Sequence, residues 1–402
     1  MSKRHRAIFL IGLLFSPGWA LAQTKNQESL LSGELITKNT SDTLLIALHQ
    51  NLIIVEASVL NVKRKFLLDT GAPTVISAGL QNEIKADTIF TIELSDIHEV
   101  SRSTAFVSLK LVSLGKLQFQ EIPAGVMDAQ NPFFECLGID GIIGSNLLHH
   151  TAIRIDSRAN QIIIADKVET TPTQKPVALN LDQQKSPYLK INPGPRTSEE
   201  LLFDTGFTGL YSLCNRNYKF FTNRNRLKKV ELSKGIGSST LGLYGTGNNP
   251  DTTYLLRLRF LKVNETKLSR PIITTSPDRN SKLGAELFQY GVITLDYTQK
   301  RFWFEPYTNQ MPITESYWGF EPSVASGYLI VGRVWQNSNA QQAGLMAGQR
   351  ILMVNKMRLS AASFCDASDE LKDLADKGEL TLEVEEADGR VKTISIKKEL
   401  VK

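Results

Sequence analysis

Short apolar runs that end at Asp, Asn or Gly recur along this chain, and this pattern predicts β-strands joined by tight turns. Two of the runs end in nearly the same phrase. Residues 66–72 read Phe-Leu-Leu-Asp-Thr-Gly-Ala, and residues 201–207 read Leu-Leu-Phe-Asp-Thr-Gly-Phe. In each phrase a buried strand leads into a sharp turn, which would hold a carboxylate at a rigid strand end. A single copy would be an ordinary strand exit, so the repetition is the informative feature.

A β-hairpin is predicted upstream of each phrase. Its strands are residues 52–60 and 65–68 in the first half, and residues 187–191 and 201–203 in the second. In the first half the turn of the hairpin is predicted at residues 61–64.

A short apolar segment that ends in Gly follows each phrase, Ile142-Ile143-Gly144 in the first half and Leu283-Gly284 in the second. By the residue numbering, Gly144 lies 75 positions after Asp69 and Gly284 lies 80 positions after Asp204. Strand-like residues then close each half. The same features in the same order indicate an internal duplication.

These paired motifs resemble the pepsin and retropepsin clan of aspartic proteases over residues 34–308. The resemblance implies a mainly β fold, a two-lobed pepsin/retropepsin-like β-barrel pseudo-dimer in which each lobe contributes one Asp-Thr-Gly. It implies that Asp69 and Asp204 form a catalytic pair without a second subunit, so that a monomer is expected. A dimer of lobes is the other arrangement, but two copies in one chain make it needless.

Two carboxylates that share one water cannot both ionise cheaply, so one proton is shared between them. The ionised acid then takes a proton from the water while the protonated acid donates to the scissile carbonyl. This chemistry requires no cofactor and no metal. By the same resemblance, the hydroxyls of Thr70 and Thr205 tie the two loops together, and Gly71 and Gly206 let the backbone approach behind the carboxylates.

The residue after each Gly departs from the stomach-type pattern. Ala72 is the retropepsin-like choice, whereas Phe207 stands where the family has a small residue or a hydroxyl. Neither side chain can donate a hydrogen bond to the charged carboxylate. The sequence therefore predicts a rate optimum at mildly acidic to neutral pH.

Two hairpins are candidates for lids over the cleft. Residues 235–247 have the Gly density of a mobile hairpin, and residues 94–104 are the best candidate in the first half. A phosphate-binding loop is the competing reading of the Gly-rich stretch. It is disfavoured because no Gly-Lys-Ser or Gly-Lys-Thr ending and no helix-like run follows.

The first residues predict export. Basic residues precede the apolar run 7–15 and the small-residue site Ala20-Leu21-Ala22, which together predict a signal peptide over residues 1–22. We expect a periplasmic or secreted protein without a membrane span. Cleavage would lower the net charge from +5 to +2, because three of the 46 Lys and Arg are lost against 41 Asp and Glu. Nucleic acid is therefore not an expected partner.

Other chemistries receive little support. Cys136, Cys214 and Cys365 are odd in number and widely spaced, so a disulfide framework is not expected, although one pair stays open. His149 and His150 lack the spacing of a metal site, and a surface or packing role is expected for them. The Gly-x-Ser-x-Gly motif of serine hydrolases is missing from the sequence.

A different pattern begins after a polar linker at residues 309–315. Residues 316–402 resemble a PDZ domain, a small α+β module, with a helix expected over residues 361–376 and a hairpin over 379–398. In that resemblance the backbone of Trp318, Gly319 and Phe320 binds a peptide carboxylate and the next strand pairs with the peptide. The alternative is that Trp318 and Phe320 are only core aromatics.

The predicted organisation is thus a signal peptide, two protease lobes, a linker and a PDZ domain. The boundaries are 1–22, 23–170, 171–308, 309–315 and 316–402. The predicted function is an aspartic endopeptidase that acts on polypeptides, with the PDZ domain recruiting a substrate or partner through a C-terminal peptide. The alternative is an inactive protease-like scaffold that binds peptides.

Overall fold

The chain is mainly β in the computed structural model. The structure describes residues 29–49, 51–95, 101–127, 132–168, 172, 174–227, 230–237, 241–242, 245–246, 251–308, 316–325, 328–359 and 378–400. The predicted signal peptide, the linker, the helix over 361–376 and Cys365 lie outside these residues. Among the described residues, every helix is too short or too polar to cross a lipid bilayer.

The first half of the chain builds one sheet and part of a second. Its strands are β1 (Glu34–Leu35), β2 (Ser41–Leu45), β3 (Ala47–His49), β4 (Leu52–Val59), β5 (Val62–Asp69), β6 (Val75–Ser77), β7 (Thr88–Ser95), β8 (Ser101–Leu114), β9 (Leu117–Met127), β10 (Gly141–Gly144), β11 (Ala152–Asp156) and β12 (Gln161–Ala165). Its helices are α1 (Ala78–Ile84), α2 (Pro132–Leu137) and α3 (Ser145–Leu148).

The second half repeats this layout. Its strands are β13 (Val177–Leu181), β14 (Pro187–Ile191), β15 (Glu199–Asp204), β16 (Tyr211–Cys214), β17 (Glu231–Gly237), β18 (Leu241–Gly242), β19 (Gly245–Thr246), β20 (Asp251–Arg257), β21 (Phe260–Val263), β22 (Thr266–Ser269), β23 (Ile272–Ser276), β24 (Lys282–Gly284), β25 (Gly291–Asp296) and β26 (Arg301–Pro306). Helix α4 (Asn215–Asn223) follows β16 as α1 follows β6, and a 3₁₀ helix (Ala285–Gln289) follows β24 as α3 follows β10.

The first predicted hairpin has a shorter turn than expected. β5 begins at Val62, which pairs with Val59, so the turn consists of Leu60 and Asn61 and not of residues 61–64. Both residues have positive φ, 49° at Leu60 and 67° at Asn61. A two-residue turn of this hand matches the twist of the flanking strands, and Asn tolerates it well.

The two halves share one antiparallel sheet. In this sheet β2 pairs with β12, β12 with β11, β11 with β25, β25 with β26, and β26 with β13. Three strands come from each half, and β11 and β25 meet at the centre. An ion pair of 2.5 Å between Arg154 and Glu305 also joins the halves. Their relative orientation is therefore fixed by backbone hydrogen bonds.

One apolar core extends through both halves. Phe203, at the end of the second Asp-Thr-Gly strand, makes edge contacts with Phe288 and Phe302, with ring centroids 6.5 Å and 5.2 Å apart. A smaller apolar cluster lies in the first half and includes Leu67 and Ile142. The apolar runs noticed in the sequence thus anchor the strands that carry the two acids.

The C-terminal module, residues 316–400 where described, has a separate core. Its elements are β27 (Ser316–Tyr317), β28 (Phe320–Ala325), β29 (Tyr328–Trp335), α5 (Asn339–Gln342), β30 (Arg350–Val354), β31 (Met357–Arg358), β32 (Glu379–Glu385), β33 (Val391–Lys397) and β34 (Glu399–Leu400). The predicted hairpin over 379–398 corresponds to β32 and β33. Phe320, Val331 and Leu382 are among the residues buried in this core.

A strand pairing joins this module to the second half. β17, which forms a hairpin with β20, also pairs antiparallel with β29, and Gly237 stands opposite Arg333. The Arg333 Nη2 donates to the Gly237 carbonyl at 2.9 Å, and the Gln336 amide donates to the Lys234 carbonyl at 2.8 Å. The sequence did not predict this pairing, which ties the base of the Gly-rich hairpin to the module.

The Gly237→Ala variant tests the pairing. Gly237 has a φ of 137°, and a Cβ atom there would lie 2.0 Å from the Gly332 carbonyl oxygen, so Ala forces β17 and β29 apart. We expect amide hydrogen exchange in residues 231–237 to become at least about tenfold faster. The control is Gly389→Ala, which has φ of 82° but meets no atom within 4 Å. Equal exchange in both variants would contradict the pairing.

Candidate active site

The two Asp-Thr-Gly phrases occupy equivalent positions in the two halves. Asp69 ends β5 and Asp204 ends β15. A parallel strand runs beside each of them and places Gly144 opposite Asp69 and Gly284 opposite Asp204. The register is the same in both halves, as the duplicated sequence predicts.

Reciprocal hydrogen bonds join the two loops. The Thr70 amide donates to the Thr205 Oγ1 at 3.0 Å, and the Thr205 amide donates to the Thr70 Oγ1 at 3.1 Å. Each hydroxyl in turn donates across the junction, from Thr70 to the Phe203 carbonyl at 2.6 Å and from Thr205 to the Leu68 carbonyl at 2.7 Å. All of these groups are buried, so the bonds fix one loop relative to the other.

The glycines bring the acids together. A Cβ atom at Gly71 would lie 2.7 Å from the Asp204 Cγ, and a Cβ atom at Gly206 would lie 2.3 Å from the Asp69 Oδ2. Each Gly amide also donates to the Asp of its own loop, Gly71 to Asp69 at 2.7 Å and Gly206 to Asp204 at 3.0 Å. Each carboxylate is therefore held between its own loop and the opposite Gly.

Burial and the neighbouring acid raise the proton affinity of Asp69. Two causes raise the pKa of Asp69 to about 7. The larger is burial away from bulk water, and the smaller is the negative charge of Asp204. The amide of Gly71 and the charge of Lys282 act in the opposite direction and lower the pKa of Asp69. A pair of this kind keeps one proton near neutral pH.

The residues after the two glycines have different roles. The Ala72 carbonyl accepts hydrogen bonds from the Ser145 amide at 2.8 Å and from the Ser145 Oγ at 3.1 Å, which locks the first loop onto α3. The ring of Phe207 lies against Gly209 and Gly284, where an added Cβ would meet it at 2.7 Å and 2.5 Å. Phe207 thus packs on its own turn.

Residues 55–147 match a family model described as Aspartyl protease. This part of the chain is similar to aspartyl proteases and includes Asp69 and Gly144. A retropepsin-like aspartic protease from Rickettsia conorii aligns with 23% identity and a TM-score of 0.23, covering 33% of this chain and 92% of that chain. An aspartic proteinase from Irpex lacteus aligns with 13% identity and a TM-score of 0.41, covering 67% of this chain and 98% of that one. No curated protein matches the chain.

Lys282 is a charged residue beside the pair that the sequence analysis did not identify. Its Nζ lies 3.5 Å from the Asp204 Oδ2 and 3.3 Å from the Asp278 Oδ2. The signal was present in the duplication, because the first half reads Ile142-Ile143-Gly144 where the second reads Lys282-Leu283-Gly284. A lysine in the second half thus replaces an isoleucine in the first half, and this difference could have drawn attention to Lys282.

The three residues predicted to bind a peptide carboxylate lie elsewhere, in the C-terminal module. Phe320 is buried in the core of the module, and Trp318 packs against it. Gly319 has a φ of 79°, and its carbonyl accepts hydrogen bonds from the Trp335 amide at 2.9 Å and the Ser338 Oγ at 3.0 Å. Phe320 thus belongs to the core of the module, Trp318 is a half-buried ring packed against that core, and Gly319 between them is left-handed.

The remaining sequence candidates have no part in this site. Cys214 is a buried free thiol. The rings of His149 and His150 lie 3.8 Å apart, and burial lowers the pKa of His149 to about 4, so it is neutral near pH 7. The described part of the chain contains no group of three His, Cys, Asp or Glu side chains arranged to hold a metal.

The Thr70→Val variant tests the loop junction. It removes a buried hydroxyl and leaves the Thr205 amide and the Phe203 carbonyl without a partner, so we expect the free energy of unfolding to fall by about 3 kcal/mol. Urea denaturation provides the measurement. Thr70→Ser keeps the hydroxyl and should lose much less. If Val and Ser destabilise the protein equally, the hydrogen bonds are not the stabilising feature.

Proposed function

We propose that this chain is an aspartic endopeptidase in which Asp69 and Asp204 activate one water molecule. One observation carries the proposal. The carboxylate of each acid lies against the Gly of the opposite loop, and the hydroxyl of each Thr accepts a hydrogen bond from the opposite Thr amide. The similarity of residues 55–147 to aspartyl proteases supports it.

The mechanism follows from the shared proton. The ionised carboxylate accepts a proton from water, whose oxygen attacks the scissile carbonyl carbon, and the protonated carboxyl donates its proton to the carbonyl oxygen. The product is a tetrahedral gem-diol with no covalent bond to the enzyme. Proton transfer to the amide nitrogen then breaks the C–N bond and releases a carboxylic acid and an amine.

Substrates would be polypeptides bound in an extended conformation, because main-chain hydrogen bonds then hold the scissile bond in register with the pair. The predicted signal peptide supports a periplasmic or secreted location for this activity. A monomer is sufficient, because both acids come from one chain.

The pH dependence follows from the raised pKa of Asp69, about 7. An acid with a raised pKa keeps its proton until the pH approaches that value. The singly protonated pair therefore persists under mildly acidic to neutral conditions, and the rate falls as the pH rises through about 7. The expectation drawn from Ala72 and Phe207 has the same direction but another cause, because burial and the charge of Asp204 raise the pKa of Asp69 here.

Asp69→Asn and Asp204→Asn test the pair. Each change keeps the shape of the side chain and removes the shared proton chemistry, so we expect cleavage of an unfolded protein to fall by about 10²- to 10⁴-fold in both. Asp388→Asn, in an exposed turn of the C-terminal module, is the isosteric control and should cleave at the wild-type rate.

A peptide carrying a statine residue should inhibit the wild-type protein. If Asp69→Asn or Asp204→Asn cleaves the substrate at the wild-type rate, other residues carry out the chemistry. If the wild-type protein binds the statine peptide but cleaves no substrate at any pH, the chain is an inactive peptide-binding scaffold.

For the C-terminal module we infer a PDZ-like role in which the loop of Trp318, Gly319 and Phe320 captures the C-terminal carboxylate of a partner. The left-handed turn at Gly319 supports this, because consecutive backbone amides in such turns form anion-binding concavities. Its connection to β17 would bring the captured protein near the second half.

The carboxylate role is tested with pairs of peptides that differ only in a free or amidated C-terminus, measured by fluorescence anisotropy on the full chain. Free carboxylates should bind at least about tenfold more tightly, as a charge-assisted hydrogen bond predicts. Gly319→Ala should abolish this difference, because a Cβ there would lie 2.7 Å from the Ser338 Cβ. Gly344→Ala, with φ of 85° and open space, is the control. Equal binding of acids and amides would refute the role.

A further inference from the structure

The second half of the chain contains a buried ammonium group where the first half is apolar. Lys282 is 8% exposed, and its backbone is fixed between two strands, paired with Leu202 on β15 and with Ser212 on β16. In the first half the same register position is Ile142, paired with Leu67 and Val75. Ile142 packs in an apolar cluster, as this position requires.

A buried ammonium is costly unless anions compensate it. Lys282 has two such partners, Asp204 at 3.5 Å and Asp278 at 3.3 Å. Burial by itself would lower the pKa of Lys282, but Asp204 and Asp278 together raise it above its ordinary value. Lys282 is therefore a permanent positive charge against one of the two acids.

The backbone next to Lys282 is also held rigidly. The Ser281 Oγ accepts from the Cys214 amide at 2.9 Å and donates to the Glu199 carboxylate at 3.2 Å. The Ser281 carbonyl accepts from the Leu202 amide at 3.0 Å. The ammonium thus extends from a strand whose backbone is fixed beside β15, the strand that ends at Asp204.

We propose that Lys282 is a positioning residue of this centre, whose ammonium holds Asp204 in the ionised form and leaves the shared proton on Asp69. The proposal rests on the proposed hydrolytic function and deepens it. It gives the two acids distinct roles, with Asp204 accepting the proton of the water and Asp69 donating to the carbonyl oxygen.

Other charges around the pair are consistent with this assignment. Asp278 lies 3.3 Å from the Lys282 Nζ and partly offsets its charge. The charged groups that act directly on Asp69 or on Lys282 are Asp69, Asp204, Asp278 and Lys282 itself. Tyr188 and Tyr297 feel the charges of the pair, and Asp182 and Arg279 act on these tyrosines. Tyr188 and Tyr297 are neutral near pH 7, because burial raises the pKa of each phenol. Lys282 is the buried cation in this set.

The sign of the expected effect follows from Coulomb's law. A positive charge stabilises the singly ionised pair relative to the neutral pair, and the doubly ionised pair relative to the singly ionised one. Removing it should raise both apparent pKa values of the pair. Removing the Asp278 charge strengthens the field of Lys282 and should lower both.

The test compares Lys282→Met, Lys282→Arg and Asp278→Asn in the full chain. The ¹³C chemical shifts of the Asp carboxyl groups are followed against pH, together with kcat/KM for a peptide substrate. We expect both limbs of the pH profile to move up by about one unit in Lys282→Met and down in Asp278→Asn. Lys282→Arg keeps the charge and should stay near the wild-type profile. Lys190→Met, an exposed lysine on β14, is the control for loss of a lysine.

The two readouts separate this inference from the proposed function. If the carboxyl pKa values shift as expected but the protein cleaves no substrate, the role of Lys282 stands and the proposed peptidase activity is refuted. If cleavage depends on both Asp residues but the carboxyl pKa values are unchanged in Lys282→Met, the peptidase activity stands and the role of Lys282 is overturned. If Lys282→Met does not fold, Asp278→Asn decides, and an unchanged or raised pair of pKa values in that variant overturns the proposal.

Discussion

The structure depends on the hydrogen bonds between Thr70 and Thr205. Two strand ends from distant parts of the chain have to meet with their acids facing each other, and like charges at short distance oppose this arrangement. The junction overcomes the repulsion because four buried hydrogen bonds cross it. Breaking it would leave several polar groups buried and unpaired, which costs more than the repulsion between two acids that share a proton.

A duplicated chain is expected to give a symmetrical site, and the charges make this one asymmetrical. The glycines, threonines and strand registers are equivalent in the two halves, whereas Ile142 and Lys282 are not. An asymmetric field is useful for acid–base chemistry, because one acid has to act as a base while the other holds a proton. In a symmetric pair the proton is divided equally, and the environment assigns no role to either acid.

Sequence patterns predicted the parts of the fold that local chemistry controls. The strands that end in Asp69 and Asp204, the turns behind them and the duplication all follow from apolar periodicity and Gly positions. Lys282 was missed because the predicted motif began at the next residue, and its function depends on an acid 78 positions earlier in the chain. The pairing of β17 with β29 was missed for another reason. Any exposed strand edge can accept a partner, so periodicity does not identify which strand it will be.

That pairing changes how the C-terminal module relates to the rest of the protein. A module attached only by a linker would act by raising the local concentration of a bound partner. Here β29 belongs to the core of the module on one side and hydrogen-bonds to the Gly-rich hairpin strand β17 on the other. A change in the position of β29 would therefore move the base of that hairpin, because strand pairing transmits displacement through backbone hydrogen bonds. The hydrogen bonds from Arg333 to the Gly237 carbonyl and from Gln336 to the Lys234 carbonyl lie at this junction and reinforce the strand pairing that connects the two parts of the chain.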